Sequence, residues 1–271
     1  LNGRTLIVSN STTGAIVRTN GVIVSENTGN SGKVQWNIGT TLGAHVFPFG
    51  KTLAEYIPVT LNLTGGNANN VTISTYPTAA NNTPLPTTPM PVTAIDQQGS
   101  TDAANTVIDR FWQIDASAVS SRTVTLTFAY AASETSGQII TPRAQRWNGS
   151  SWDNAVAGQS AGANSVTVPG VTSFSPWTIY DNTAAVANFT SNINSGCVGT
   201  NVQYTDASQY NPTSWNWTFD GGSPGTSTTQ NPSVVYNVPG VYSVTLTATN
   251  NYVSNSSTQT GYITIYATPT T

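Results

Sequence analysis

The chain has 271 residues, and only 7% of them are charged, with 8 Lys+Arg against 11 Asp+Glu. An average soluble protein has about 25% charged residues. There is no basic cluster and no apolar run long enough to span a bilayer, so we expect neither nucleic-acid binding nor direct membrane insertion. Ser, Thr, Asn and Gly replace the usual charged residues, and they favour turns and strand faces over helices. We therefore expect an all-β protein.

The first 26 residues contain one segment with regular apolar positions, Leu1–Asn10. Two interpretations fit it: an edge strand of the first domain, or the last rung of an upstream β-solenoid. A single rung is not a repeat array, so we favour the edge strand. Because the chain begins with Leu1 and not with Met, we expect its targeting signal to lie outside it.

Alternation of apolar and polar residues dominates the rest of the chain, and it predicts strands with one buried face. The clearest apolar faces are Val34/Trp36/Ile38, Ile57/Val59/Leu61/Leu63, Val124/Leu126/Phe128/Tyr130 and Tyr242/Val244/Leu246/Ala248. Each such face needs a second sheet to cover it. The sequence therefore predicts two tandem β-sandwiches, with domains at residues 1–182 and 183–271.

A proline-rich segment interrupts the strands at Tyr76–Thr106. Each proline removes a backbone donor, so a central strand is excluded there. We predict a long surface loop, and loops of this length are uncommon without a function. The segment is therefore a candidate contact surface.

Few residues are candidates for catalysis or metal binding. The only histidine, His45, is expected to be structural, because it has no partners from which a catalytic triad could be assembled. Asp181, Asp206 and Asp220 are single acids near strand ends, where turn capping is more common than a structural calcium site. The only cysteine, Cys197, excludes an intrachain disulfide, and we expect it to be buried. We expect no catalytic residues, no cofactor and no metal site apart from that possible calcium.

Trp147 and Trp152 flank a predicted hairpin turn, Asn148–Ser151. Exposed aromatic rings can stack on sugars, so these two residues are candidate glycan contacts. Of the two interpretations we favour burial in the core, because tryptophan is highly buried on average.

Residues 187–266 resemble a PKD domain, an immunoglobulin-like sandwich found in many bacterial secreted proteins. The residues that carry the resemblance are Trp215, Trp217, Phe219, Asp220, Gly221, Gly222, Tyr236, Pro239, Gly240 and Tyr242. The family's usual Phe-Gly-Asp-Gly is replaced here by Phe219-Asp220-Gly221-Gly222. The resemblance implies a fold and no chemistry.

Residues 1–180 resemble a module that precedes such domains in surface proteins of the Bacteroidota exported by the type IX pathway. The residues that carry this resemblance are Val34–Gly39, Phe47–Gly50, Asp109–Ile114, Arg146–Trp152 and Phe174–Trp177. It implies location outside the cell or at the outer cell surface.

We therefore expect a non-catalytic structural or adhesive unit, a stalk or filament component, whose partners are other copies or neighbouring domains of the same protein. Exposed edge strands would provide such contacts. The alternative is a pair of carbohydrate-binding modules attached to a secreted polysaccharide-degrading enzyme, with extracellular glycans as partners. We do not expect an enzyme in this chain.

Overall fold

A computed structural model describes residues 1–25, 32–95, 106–117, 121–135, 139–153, 155–210, 212–250 and 254–268. The chain divides into two compact units, Leu1–Asp181 and Asn182–Thr271. In the described parts the named elements are strands and a 3-10 turn at Ala132–Glu134, which confirms the all-β prediction. No helical segment within those parts is long and apolar enough to cross a bilayer.

The first unit contains eleven named strands. Their bounds are β1 Thr5–Val8, β2 Lys33–Asn37, β3 Gly43–Phe47, β4 Val59–Gly66, β5 Asn70–Pro77, β6 Arg110–Ala116, β7 Arg122–Ala129, β8 Pro142–Arg146, β9 Ser160–Gly162, β10 Ser165–Val171 and β11 Pro176–Asp181. They form a six-stranded sheet in the order β1-β2-β5-β6-β11-β8 and a five-stranded sheet in the order β3-β4-β7-β10-β9.

One core joins the inner faces of these two sheets. The apolar residues of the alternating segments are buried in it, including Trp36 in β2, Leu61 in β4 and Phe128 in β7. Trp112 packs against Phe128, with ring centroids 4.8 Å apart. The alternation thus identified the inward-facing side chains, because successive residues of a strand point to opposite faces.

Strand β1 lies at one edge of the six-stranded sheet and pairs in parallel with β2. Leu6 and Ile7 on this edge are 40% and 60% exposed. The segment Leu1–Asn10 therefore provides an edge strand of the first unit.

A buried ion pair lies on the core-facing side of β6. Arg110 is fully buried, and its Nε and Nη2 donate to the two carboxylate oxygens of Glu134 at 2.9 and 2.5 Å. Its Nη1 donates to Thr75 Oγ1 at 2.8 Å. Glu134 Oε2 also accepts the backbone N–H of Ala131, so this carboxylate anchors the 3-10 turn as well as the guanidinium.

The proline-rich segment is only partly a surface loop. Tyr76 and Pro77 end β5 and pair in register with Phe111 and Arg110, so the segment predicted as irregular begins inside a strand. The chain then lies across the outer face of the six-stranded sheet, where Val92 and Ile95 are buried. Residues 96–105 lie outside the described residues.

The second unit contains nine named strands. Their bounds are β12 Phe189–Ser191, β13 Ser195–Cys197, β14 Thr200–Asp206, β15 Ser214–Phe219, β16 Gly222–Ser223, β17 Thr226–Ser227, β18 Ser233–Tyr236, β19 Gly240–Thr249 and β20 Ser254–Tyr266. They form one sheet in the order β12-β14-β18-β16 and another in the order β13-β20-β19-β15-β17. The core includes Trp217, Tyr204 and Leu246, all fully buried.

Candidate functional site

A polar groove lies on the outer face of the six-stranded sheet of the first unit. It has a volume of about 260 Å³, and one wall is formed by Thr88 and Pro89 of the proline-rich segment. Its strand residues come from β1, β2, β5 and β6: Thr5, Lys33, Gln35, Thr72, Ser74, Gln113 and Asp115. These residues alternate with the core residues of the same strands, so their side chains share the outer face.

Register places the groove residues side by side. Gln35 pairs with Thr72, Thr72 with Asp115, and Ser74 with Gln113. Directly opposed residues of neighbouring antiparallel strands have Cβ atoms about 4.5–5.5 Å apart. The groove floor is therefore a compact array of amide, hydroxyl and carboxylate groups.

Gln113 is the buried polar residue of the groove, with 3% of its surface exposed. Its Oε1 lies 3.4 Å from Thr88 Oγ1, and its Nε2 has no hydrogen-bond partner among the described residues. Most buried polar groups in proteins are paired, so an unpaired amide nitrogen needs an explanation.

Sequence reasoning missed this groove. The alternation in Phe111–Asp115 shows that Gln113 and Asp115 leave the core face, but not what lies beside them. Their neighbours on β2 and β5 are distant in sequence, and only the strand register brings them together.

Trp147 and Trp152 are buried, as the favoured interpretation of the sequence expected, and this excludes them as glycan contacts. The two residues are 1% and 2% exposed, and their rings meet edge to face at 5.4 Å. Trp152 also stacks on Phe111 and donates from Nε1 to Ala94 O at 2.9 Å. Neither indole presents the free face that a sugar needs, because both side chains are buried.

His45 is structural in its contacts. It is fully buried, and its two ring nitrogens lie 3.1 Å from Gly43 O and 3.0 Å from Ser11 O. The ring also meets Trp36 edge to face at 5.0 Å. Both nitrogens are thus engaged with backbone carbonyls, so neither is directed at a nucleophile.

The three acids considered for calcium are separate and have different roles. Asp181 Oδ1 accepts the backbone N–H groups of Ile140 and Thr141 at 3.1 and 2.8 Å. Asp220 is exposed beyond the end of β15. In the described parts of the chain no three His, Cys, Asp or Glu side chains cluster as metal ligands would.

Asp206 stabilises a turn at the end of β14. Its carboxylate accepts the backbone N–H of Ser208 at 3.0 Å and Gln230 Nε2 at 3.1 Å. Burial would raise the pKa of Asp206, but the hydrogen bonds from Ser208 and Gln230 outweigh it and hold that pKa below its ordinary value.

Cys197 corrects another prediction, because it is exposed and not buried. It ends β13, a three-residue strand at the edge of its sheet, and pairs in register with Tyr266 of β20. The sequence around it does not alternate, so nothing there indicated which way its side chain points.

The three aromatic residues that carry the PKD resemblance, Trp215, Trp217 and Phe219, alternate along β15. Trp217 and Phe219 are buried and stack with centroids 5.7 Å apart, while Trp215 is only partly buried. Trp217 Nε1 donates to Thr229 O at 3.0 Å. These rings fill the sandwich interior.

The remaining motif residues surround Tyr242. Gly221 has a φ of +66°, and a Cβ at either Gly221 or Gly240 would overlap the tyrosine ring. Tyr242 Oη donates to Val238 O at 2.9 Å, which secures the exposed turn that contains Pro239.

The other two motif residues, Asp220 and Gly222, lie in the turn after β15. Gly222 is the first residue of β16, and the backbone N–H of Asp220 donates to Ser243 O. The motif residues thus pack the core and stabilise turns.

Tyr236 links this ring to the core of the second unit. It stacks on Tyr242 at 5.2 Å, and its hydroxyl lies 2.8 Å from that of Tyr204. Burial, reinforced by the hydrogen bond with Tyr236, raises the pKa of Tyr204 far above its ordinary value. Both hydroxyls therefore stay protonated and serve as a buried polar pair.

Residues 182–265 match the PKD domain family. The second unit therefore contains a PKD domain, an immunoglobulin-like module that is non-catalytic and occurs in extracellular proteins. No curated protein sequence shows significant similarity to the chain.

Proposed function

Because residues 182–265 form a PKD domain, we propose that this chain is a non-catalytic, load-bearing or adhesive unit of an extracellular protein. We extend the proposal to a stalk or filament component at the surface of a bacterium. The resemblance of residues 1–180 to modules of the Bacteroidota supports export by the type IX pathway.

The observation that carries a load-bearing role is the pairing of β13 with β20. These strands lie near the beginning and the end of the second unit, and they run parallel, with Ser195 opposite Thr264 and Cys197 opposite Tyr266. Backbone bonds continue on both sides: Thr264 N–H donates to Asn194 O at 2.9 Å and Val198 N–H to Tyr266 O at 3.1 Å.

Parallel pairing decides how force acts on this unit. Tension on the two chain ends pulls β13 and β20 in opposite directions along their length. All the bonds between the strands are then loaded together, whereas peeling would break them one after another. Resistance to tension is the property that a stalk requires.

The contacts of the histidine, aromatic and acidic side chains support a role without catalysis. The histidine is buried with its two ring nitrogens facing backbone carbonyls, and six of the seven tryptophans are buried in packed clusters. Asp181 and Asp206 accept backbone N–H groups.

Force spectroscopy of the full chain, tethered at both ends, tests this proposal. Val198→Pro removes the N–H that bonds to Tyr266 O, and Val198→Ala keeps it while shortening the same side chain. We expect the proline variant to unfold at a lower force than the alanine variant, in the event whose contour length matches residues 182–271. Equal unfolding forces would contradict a load-bearing β13–β20 pair.

A further inference from the structure

We propose that the polar groove of the first unit is a binding site for a polysaccharide chain. This goes beyond the proposed function, because a stalk needs no ligand. The groove is formed by β2, β5 and β6 and by Thr5 of β1, with Thr88 and Pro89 as a wall, and nothing in the PKD match concerns it.

Gln113 provides the first argument. Its side chain is 3% exposed, its Nε2 is without a hydrogen-bond partner in the described residues, and it lines the groove. A buried N–H group is costly to leave unpaired. An incoming hydroxyl or ring oxygen would supply the missing acceptor.

The charge of the groove selects the ligand class. Its lining contains one ammonium group, Lys33, and one carboxylate, Asp115, so the charges balance. A nucleic acid or another polyanion would require several cations. Gln35, Thr72 and Ser74 supply further donors and acceptors, and a neutral ligand rich in hydroxyls matches this set.

The position of the groove argues against an extended peptide. Peptides that join a sheet pair with the main chain of an edge strand. The groove lies on a sheet face, where its central strand β5 is already paired on both sides, with β2 and β6, and the edge strand β1 contributes only Thr5 to the lining. Recognition must therefore use side chains.

Pro89 supplies the apolar part of the site. Its half-buried ring lies in the wall beside Thr88, across from the amide and hydroxyl floor. A sugar ring has hydroxyl groups at its edge and C–H groups on its faces, and such a mixed lining suits both. The volume of about 260 Å³ is below the roughly 300–1,000 Å³ of sites for drug-sized ligands. It suits a short stretch of a longer chain, whose remaining units extend into solvent.

Affinity electrophoresis of the full chain provides the test, in gels that contain a soluble β-glucan, xylan, galactomannan or polygalacturonate. We expect retardation by at least one neutral polysaccharide. Gln113→Leu should weaken this retardation about tenfold in apparent Kd, as expected for the loss of one buried hydrogen bond. Thr72→Val, which removes a hydroxyl of the groove floor, should also weaken it.

The matched control is Asn62→Leu, which replaces an amide on β4 in the other sheet of the same unit. It should leave the retardation unchanged, and thermal unfolding should show that all three variants remain folded. The absence of retardation by every polysaccharide would overturn the proposal, and so would retardation that survives both groove variants. Retardation by polygalacturonate alone would overturn the choice of a neutral ligand. Each of these outcomes leaves the load-bearing role untouched, because that role concerns the second unit.

Discussion

The indole of Trp152 stacks on the phenyl ring of Phe111, with centroids 6.2 Å apart and planes 9° from parallel. Phe111 lies on the outer face of β6, away from the main core, and Tyr76 packs against it at 6.0 Å. Trp152 Nε1 also donates to Ala94 O, in the proline-rich segment. This aromatic cluster therefore attaches that segment to the sheet and holds the region that forms the wall of the groove.

Trp152→Ala should lower the free energy of unfolding of the first unit by about 3–5 kcal/mol, because it opens a cavity in a buried cluster. Denaturant unfolding measures this change. Leu53→Ala is the control, since Leu53 is 70% exposed in the same unit and should change stability by less than about 0.5 kcal/mol. Similar effects of the two substitutions would show that the indole is not packed as described.

Glu134→Gln should destabilise the first unit by about 3–5 kcal/mol, because it removes the carboxylate that binds the fully buried Arg110 guanidinium through two hydrogen bonds. Chemical denaturation of the variant measures this. Asp153→Asn breaks the pair with Arg146, in which the side chains are 24% and 33% exposed. An ion pair of that exposure is worth about 1 kcal/mol or less, so the control should be mild. A control as severe as Glu134→Gln would contradict the assignment of the buried pair.

Gly221→Ala should destabilise the second unit by more than about 1–2 kcal/mol. The left-handed backbone alone accounts for that amount, and the new Cβ would also displace the ring of Tyr242. Gly225→Ala is matched to it, because the nearest atom to a Cβ there is 3.7 Å away and its φ is not positive. Thermal unfolding should therefore show a clear decrease for the first variant and little change for the second.

Acid should destabilise the second unit through Asp206. Because the folded state lowers the pKa of Asp206, its contribution to stability is present above the unfolded pKa. That contribution is lost as the pH falls from about 4, the ordinary value for Asp, through the folded value. Asp206→Asn should flatten stability against pH in this range, measured by denaturant unfolding at a series of pH values. Asp220→Asn, which removes an exposed carboxylate, is the comparison, and an equally flat curve there would contradict the role of Asp206.

The sequence predicted the sandwich cores because the alternation of apolar and polar residues shows directly which side chains are buried. Trp36, Leu126 and Leu246 lie where their spacing indicated. The burial of Trp147 and Trp152 was expected only from the average burial of tryptophan, because alternation cannot show that a loop covers the outer face of a sheet.

The groove and the buried ion pair could not be predicted for a related reason. Gln35, Thr72 and Asp115 meet only through strand register, and Arg110 reaches Glu134 across 24 positions of sequence. A polar residue in a strand indicates an outer face, but its neighbours are set by pairing between distant segments. The exposure of Cys197 could not be predicted either, because a three-residue edge strand is too short to show a periodic pattern.

The direction of pulling tests most directly whether the second unit carries load through β13 and β20. The exposed thiol of Cys197 provides a native attachment point at the end of β13, opposite Tyr266. Force applied between the chain ends shears the two strands, whereas force applied between Cys197 and the C-terminus peels them apart. We predict that unfolding requires a clearly higher force in the first geometry. Equal forces in both geometries would contradict the load-bearing account.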